Sequence, residues 1–188
     1  MDDELFAAIN GLAGHHLALD RVMSLLASAG PYALVFMLLL LWFAPGDRDT
    51  RDRRQRAVLH ATIASASALL LNQGIIRVWS RPRPFAVRAT TLLLAPSTDP
   101  SFPSDHATFS FCVAVAVFIA FRRLGAVAIV LAALIAFARV YVGEHYVGDV
   151  AAGAAIGAAA VIVTMPAMPR VERVLAPLLR LARRLRVA

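Results

Sequence analysis

The sequence contains no lysine and only one cysteine among its 188 residues. Cys112 lies in an apolar run, so an intramolecular disulfide and a cysteine-cluster metal site are excluded, and we interpret it as a packing residue. The first residues, Met-Asp-Asp-Glu, lack the basic region and the small-residue cleavage site of a removable signal peptide. The hydrophobic segments are therefore expected to belong to the mature protein.

Arginine supplies all of the fixed positive charge, and 19 arginines against 12 acidic side chains give a net charge of +7. Guanidinium groups suit carboxylates and phosphates because they present paired donors. With 60% hydrophobic residues and a mean hydropathy of +0.69, the chain is more apolar than a soluble domain needs. No stretch interleaves basic and aromatic residues on a soluble face, so we do not expect nucleic acid binding. We expect the positive charge to interact with the anionic headgroups of a membrane.

Five hydrophobic runs approach the length of about 20 residues that a membrane-spanning helix requires. They predict an all-α fold, an integral membrane helical bundle of about five transmembrane helices. The predicted spans lie near residues 21–44, 57–79, 105–121, 124–142 and 147–167. The third span is short. Gly30-Pro31 interrupts the first, which predicts either a kink or a shorter span preceded by a re-entrant turn.

Two amphipathic segments flank these runs, and the whole chain, residues 1–188, is interpreted as a single domain. Residues 3–14 carry apolar side chains at helical spacing, which predicts a short interfacial helix. Residues 169–188 interleave arginines with leucines and valines, which predicts a basic amphipathic cytoplasmic tail on anionic headgroups. The arginines of this tail are Arg170, Arg173, Arg180, Arg183, Arg184 and Arg186.

Arginines in the connections predict the orientation in the cell membrane. Residues 48–56 and the pair Arg122 and Arg123 follow the first and third spans, so the positive-inside rule places both connections in the cytoplasm with the C-terminal tail. The acidic N-terminus and the connections 77–88 and 143–148 then fall on the extracytoplasmic side. The arginines of residues 77–88 would then lie on the side where the positive-inside rule disfavours them, so topology does not explain them and a role other than orientation is expected.

The predicted topology brings three polar stretches to that face, where unpaired ionisable groups cost several kcal/mol and are usually functional. In one of them, His145 and Asp149 are four residues apart, so they share a helix face if the fifth span starts near Glu144. The carboxylate is then expected to hydrogen-bond one ring nitrogen and leave the other free to attack. Arg139, at the end of the preceding span, adds a guanidinium group that can bind an oxyanion beside this pair. A structural ion-pair network is the alternative, less favoured because arginines outnumber carboxylates.

The second stretch is Pro103-Ser104-Asp105-His106, directly before a long apolar helix. Ser104 is a natural N-cap, and the first-turn amides make such a terminus an anion site. His106 is placed to donate a proton to a leaving oxygen, with interfacial hydrogen bonding as its structural alternative.

The third stretch runs from Arg77 to Phe85. Pro82 and Pro84 restrain its backbone, so Arg81 and Arg83 project from a stiff turn, which lowers the entropy cost of anion capture. Arg77 lies earlier on the helix and can reach the same anion.

Together the three stretches resemble the signature of the type 2 phosphatidic acid phosphatase (PAP2) superfamily: Lys-x6-Arg-Pro, Pro-Ser-Gly-His and Ser-Arg-x5-His-x3-Asp. The resemblance extends from about residue 57 to residue 165. Arg77 replaces the lysine and stands one residue closer to Arg83, Asp105 replaces the glycine, and Ala138 replaces the serine. Pro-Ser-Asp-His, with Arg-Pro-Arg-Pro-Phe and Gly-x-His-Tyr, is most similar to the undecaprenyl pyrophosphate phosphatase branch.

The resemblance implies a membrane lipid phosphatase that hydrolyses a polyprenyl diphosphate, undecaprenyl pyrophosphate in particular, with no metal or other cofactor. His145 attacks phosphorus to form a phosphohistidine, Asp149 orients it, and His106 protonates the leaving group. The implied phosphate-binding residues are Arg77, Arg83, Ser104, Asp105 and Arg139. By position alone, Arg81 and Glu144 are candidate contacts to a second phosphate.

Three other functions remain open at this stage. A phosphatidic acid or phosphatidylglycerophosphate phosphatase would share the site chemistry. A vanadate-dependent haloperoxidase would use the same anion cage but is expected to be soluble. A non-enzymatic lipid-phosphate binding or transport protein would need the arginines but not the set His106, His145 and Asp149.

Overall fold

The structure, a computed structural model, describes residues 1–184, with side chains described up to residue 176. The predicted tail arginines Arg180, Arg183, Arg184 and Arg186 therefore lie outside the described side chains. Every regular element in the described part is helical. The helices are α1 (Asp2–Asn10), α2 (Leu17–Phe43), α3 (Arg48–Val78), α4 (Pro84–Val87), α5 (Asp105–Ala120), α6 (Arg122–Tyr141), α7 (Val147–Thr164), a 3-10 turn (Met165–Ala167) and α8 (Met168–Arg184).

Within residues 1–184, four helical stretches are long and apolar enough to cross a membrane: α2, α3, α6 and the continuous stretch Val147–Ala176. The 16-residue α5 is shorter. At 1.5 Å per residue it measures about 24 Å, less than the hydrocarbon thickness of about 30 Å. It lies at the centre of the bundle between α3, α6 and α7. The all-α membrane bundle is confirmed, and its shortest predicted span is the one most surrounded by protein.

α2 is one continuous helix from Leu17 to Phe43, so the re-entrant turn predicted as an alternative does not form. Pro31 lacks the N–H that would bond the Ala27 carbonyl one turn earlier. Arg139 of α6 donates to that carbonyl instead, with its Nη1 3.4 Å from the Ala27 oxygen. The helix survives its proline because a side chain from a neighbouring helix satisfies the freed oxygen.

α1 covers most of the segment predicted as an interfacial helix and packs against α6 and α7. Phe6 is 1% exposed and lies against the Tyr146 ring at 5.4 Å between centroids. The Asn10 side-chain amide donates to the Thr91 and Tyr141 carbonyls at 2.9 and 2.8 Å. These buried contacts tie α1 to the bundle.

Successive helices of the bundle run in opposite directions, so its two ends carry different polar residues. At one end, Arg53 of α3 donates to the carbonyl of Ala120, which ends α5. At the same end, Arg56 pairs with Glu172 of α8 at 3.3 Å. The other end of the bundle brings together the three polar stretches, which lie around residues 77–85, 103–106 and 139–149.

Glycines on α7 allow α5 to approach closely. Gly153 and Gly157 are buried, and a Cβ at Gly157 would meet the Thr108 carbonyl oxygen of α5. The Cys112 thiol donates to the Gly157 carbonyl at 3.3 Å. This close contact holds the first turns of α5 and α7, which carry site residues, in register.

Replacing Gly157 with leucine is expected to lower the stability of the bundle by about 1–3 kcal/mol, because the added side chain must push α5 from α7. The measurement is the thermal unfolding midpoint in detergent, with Ala159→Leu as the control on the exposed side of the same helix. Equal midpoints for the two variants would contradict the close contact.

Candidate active site

The three polar stretches surround a cavity of about 120 Å³ at one end of the bundle. Its walls include Arg83 from the loop after α3, Asp105 and His106 from the first turn of α5, Arg139 from the end of α6, and His145 from the loop before α7. Five residues predicted from the three motifs therefore line one small polar space.

His145 is 2% exposed and is held in one tautomer. Its Nδ1 lies 2.8 Å from the Ser101 carbonyl oxygen, which only accepts, so Nδ1 carries the proton. Nε2 is then the unprotonated nitrogen, and it lies 3.3 Å from Nη1 of Arg83. Burial lowers the pKa of His145, opposed by Asp149 and reinforced by Arg139 and Arg83. The ring is therefore neutral, with its free lone pair beside a cation.

Asp149 acts on this ring through Ser101 and not through the direct hydrogen bond predicted. The Asp149 Oδ2 atom is 3.8 Å from Nδ1, too far for a hydrogen bond. The Ser101 hydroxyl donates to that same Oδ2 while the Ser101 carbonyl accepts from His145. Ser101 is fully buried. It is a site residue that the motifs did not indicate, although it lies only three positions before Ser104.

Arg83 and Arg139 form the cationic wall and share one carboxylate. Oε2 of Glu144 lies 2.5 Å from Nη1 of Arg83 and 3.3 Å from Nη2 of Arg139. Ser97 donates to the same oxygen at 2.9 Å. Arg83 also pairs with the exposed carboxylate of Asp99, 3.3 Å from its Nη2. The two guanidinium groups are thus held in place by carboxylates at the cavity wall, where they can meet an anionic ligand.

The Arg139 side chain also retains a free donor. Its Nε is buried and has no hydrogen-bond partner within the described residues. Buried N–H groups are nearly always paired, so an unpaired one on a residue that lines a cavity is a candidate donor to a ligand oxygen. Its Nη1 is fixed on the Ala27 carbonyl, which orients the whole guanidinium.

The first turn of α5 completes the wall. The Ser104 hydroxyl caps the helix by accepting from the Ala107 amide at 3.4 Å, and the Ser104 amide donates to the Asp149 carbonyl at 3.1 Å. Asp105 accepts from the Asn72 side-chain amide at 2.6 Å. His106 follows in the same turn and faces the cavity. The cap thus joins the start of α5 to α7.

Four predicted contacts lie outside the cavity lining. The Ser104 side chain is used in the cap, and Glu144 pairs with the two arginines. Arg81 pairs with Asp149 and Asp2, both at 2.8 Å. Arg77 is exposed on the last turn of α3, whereas Ile76 lines the cavity at the position that the Lys-x6-Arg-Pro spacing assigns to the superfamily lysine.

The fold and the site together define a membrane phosphatase, with a buried histidine against arginines at one end of an apolar helical bundle. A family model described as the PAP2 superfamily matches residues 57–173. The undecaprenyl-diphosphatase BcrC of Bacillus subtilis is 33% identical over 150 residues, which are 80% of this chain and 75% of the relative.

One further relative and one solved structure are also similar to this chain. The bacitracin transport permease protein BcrC of Bacillus licheniformis is 32% identical over 155 residues, covering 82% of this chain and 74% of the relative. The crystal structure of Aquifex aeolicus LpxE matches with a TM-score of 0.73 and 26% identity, covering 87% of this chain and 93% of that chain. The chain belongs to the PAP2 superfamily. The predicted superfamily, fold and enzyme class, a lipid phosphatase, are confirmed.

If the reaction needs a neutral His145, the acidic limb of the kcat/KM profile is expected below the ordinary histidine pKa of about 6.5, because burial keeps this ring neutral at lower pH. The check is a pH series, with the ionisation of the substrate phosphate measured separately and divided out. A limb above that value would contradict the assignment of a neutral buried His145.

Proposed function

We propose that the protein hydrolyses a polyprenyl diphosphate, undecaprenyl pyrophosphate in particular, to its monophosphate through a phosphohistidine on His145. The observation that carries the proposal is the tautomer: Nδ1 bonds the Ser101 carbonyl, so Nε2 stands unprotonated in an arginine-walled cavity. The choice of substrate is supported by the Bacillus subtilis relative, whose name is undecaprenyl-diphosphatase.

In the first half-reaction, the Nε2 lone pair of His145 attacks the terminal phosphorus. The bond from that phosphorus to the bridging oxygen breaks, and His106, protonated in the complex with the anionic diphosphate, gives its proton to the leaving oxygen. Nδ1–H keeps its bond to the Ser101 carbonyl, and the positive charge that develops on the ring faces the Asp149 carboxylate. A histidine without this support would be a poorer nucleophile.

In the second half-reaction, water replaces the lipid product. His106, now neutral, accepts a proton from the water as its oxygen attacks phosphorus. The bond to Nε2 breaks, inorganic phosphate leaves, and both histidines return to their starting states. One residue thus serves as acid and then as base, as microscopic reversibility requires.

Arg83 and Arg139 are proposed to hold the oxygens of the transferred phosphoryl group, where fixed donors are typically worth several kcal/mol of barrier. Ser104 and Asp105 contribute through the start of α5, where amide groups point outward. Arg77 remains a predicted contact from the rim. Arg81 and Glu144 remain candidate second-phosphate contacts, although each would have to leave ion pairs made in this structure.

The site is proposed to face the extracytoplasmic side, with the C-terminus in the cytoplasm. The support is the separation of charge along the bundle. Arg53 and Arg56 lie at the end opposite the cavity, close to α8 and to Arg122 at the start of α6. Under the positive-inside rule that arginine-rich end is cytoplasmic.

The alternatives differ in substrate or in turnover. Phosphatidic acid and phosphatidylglycerophosphate phosphatases would use the same cavity with a different lipid groove. A binding or transport function finds support in the name of the Bacillus licheniformis relative. We favour an enzyme because binding needs only the arginines, whereas His106 and His145 both face the cavity.

Purified protein is expected to release phosphate from undecaprenyl pyrophosphate in detergent with EDTA present. His145→Ala is expected to abolish release, and His106→Ala to lower it by about 10²- to 10⁴-fold because the leaving oxygen loses its proton donor. His15→Ala, an exposed histidine on the loop before α2, is the matched control. Release that survives His145→Ala would contradict the mechanism. Release from phosphatidic acid but not from the diphosphate would overturn the substrate.

The orientation is testable because Cys112, the only native cysteine, is buried. Ala95→Cys, in the loop on the cavity side, is expected to react with a membrane-impermeant maleimide in intact cells. Gly46→Cys, between α2 and α3, is expected to react only after the cells are opened. The reverse pattern would place the cavity in the cytoplasm.

A further inference from the structure

We propose that Asp2 is a positioning residue for the nucleophile and acts on His145 through Arg81 and Asp149. The proposal rests on the proposed function, in which His145 attacks phosphorus. It gives Arg81 a task on the far side of Asp149 from the cavity, and it makes the first turn of α1 part of the active site.

Arg81 lies between two carboxylates and uses one nitrogen for each. Its Nη1 is 2.8 Å from Oδ1 of Asp149, and its Nη2 is 2.8 Å from Oδ2 of Asp2. The guanidinium also lies over the Tyr146 ring, 3.9 Å from its centroid. A planar fork held at both nitrogens and on one face has little rotational freedom. Asp2 therefore fixes the direction from which Arg81 meets Asp149.

Arg81 in turn reaches His145 by two routes. Its guanidinium holds Asp149, whose other oxygen accepts from the Ser101 hydroxyl. Its carbonyl accepts from the Ser101 amide at 2.8 Å. The Ser101 carbonyl then accepts from Nδ1 of His145, also at 2.8 Å. A shift of Arg81 would therefore move both groups that orient the ring.

Asp2 is itself held on two elements. While Oδ2 meets Arg81, Oδ1 accepts from the Gly148 amide at 2.9 Å. Gly148 lies in the first turn of α7, where amides lack partners within the helix and a negative charge is favoured. Phe6 and Asn10 hold the rest of α1 against the bundle. Asp2 thus stands at a point set by α1 and α7 together.

The ion pair between Arg81 and Asp149 also affects the electrostatic environment of the His145 ring. Asp149 of α7 faces His145 from one side. The other charged or titratable groups around the cavity are Arg83 and Asp99 of the loops on either side of α4, Asp105 and His106 of α5, and Arg139 of α6. Arg81 offsets part of the Asp149 charge. If Arg81 loosens, Asp149 attracts a proton to the ring more strongly, so the pKa of His145 rises.

The chain provides a matched control. Asp3, the next residue of α1, pairs with Arg88 at 2.7 Å. That pair joins α1 to the residue that ends α4, and Arg88 also lies 5.4 Å from the centroid of the Tyr146 ring. Among the contacts of the described residues, neither Asp3 nor Arg88 bonds to Asp149, Ser101 or His145. Asp2→Asn and Asp3→Asn therefore remove the same charge from the same helix, and only the first disturbs the path to the nucleophile.

The experiment compares both variants in the full chain with a C-terminal tag. Asp2→Asn is expected to lower kcat for the diphosphate by about 10-fold or more, because a small misplacement of a reacting group is costly. KM should change by less than about twofold, since the arginines of the cavity are untouched. The acidic limb of kcat/KM should move upward by about half a pH unit. Asp3→Asn should match the wild type in all three.

A double-mutant comparison tests the route. In an Arg81→Gln background, Asp2→Asn is expected to cause little further loss, because the path is already broken. Equal losses for Asp2→Asn and Asp3→Asn, additive losses with Arg81→Gln, or an unmoved acidic limb would each overturn the proposal and indicate a merely structural helix. The failure of the proposed function is recognised separately, since His145→Ala would then keep its activity.

Discussion

The buried pairing of Arg83 and Arg139 with the single carboxylate of Glu144 is the interaction on which the site depends. A guanidinium taken from water into a helical bundle costs several kcal/mol unless it is paired and hydrogen-bonded. Glu144 pairs with both arginines, and the exposed Asp99 pairs with Arg83 as well. These pairs hold the two guanidinium groups at the cavity, and the Nε of Arg139 keeps a donor without a partner among the described residues.

Keeping these charges in place explains features that look unfavourable in isolation. Pro31 removes a backbone hydrogen bond from α2, and the carbonyl it frees holds Arg139. The central helix α5 is shorter than the four candidate spans, and its first turn places Asp105 and His106 in the same cavity wall as Arg83 and Arg139. The glycine face of α7 brings that turn close to His145 and Asp149. The contacts that pack the helices therefore also position the residues of the site.

The extent to which sequence predicted the site depends on the range of each interaction. His145 and Asp149 are four residues apart, so spacing predicts that they lie close together, although α7 begins only at Val147 and the two side chains are 3.8 Å apart without a direct hydrogen bond. The pairing of Arg139 with Glu144 was not predicted, although only five residues separate them. Ser101 was missed because its role depends on a fold that brings residues 44 and 48 positions apart into contact. Asp2 gave no local signal, since its partners Arg81 and Gly148 come from distant segments. The re-entrant turn was a wrong alternative for the same reason: Arg139, far along the chain, repairs the break at Pro31.

The central claim is that Nε2 of His145 bonds to phosphorus within the arginine-walled cavity. The most direct measurement is an experimental structure of the protein with orthovanadate, which mimics the five-coordinate phosphorus of the transfer. The account predicts vanadium bonded to Nε2 of His145, an oxygen accepting from Nε of Arg139, and His106 facing the apical oxygen opposite the histidine. Vanadate bound elsewhere, or held by the arginines without a bond to His145, would contradict it.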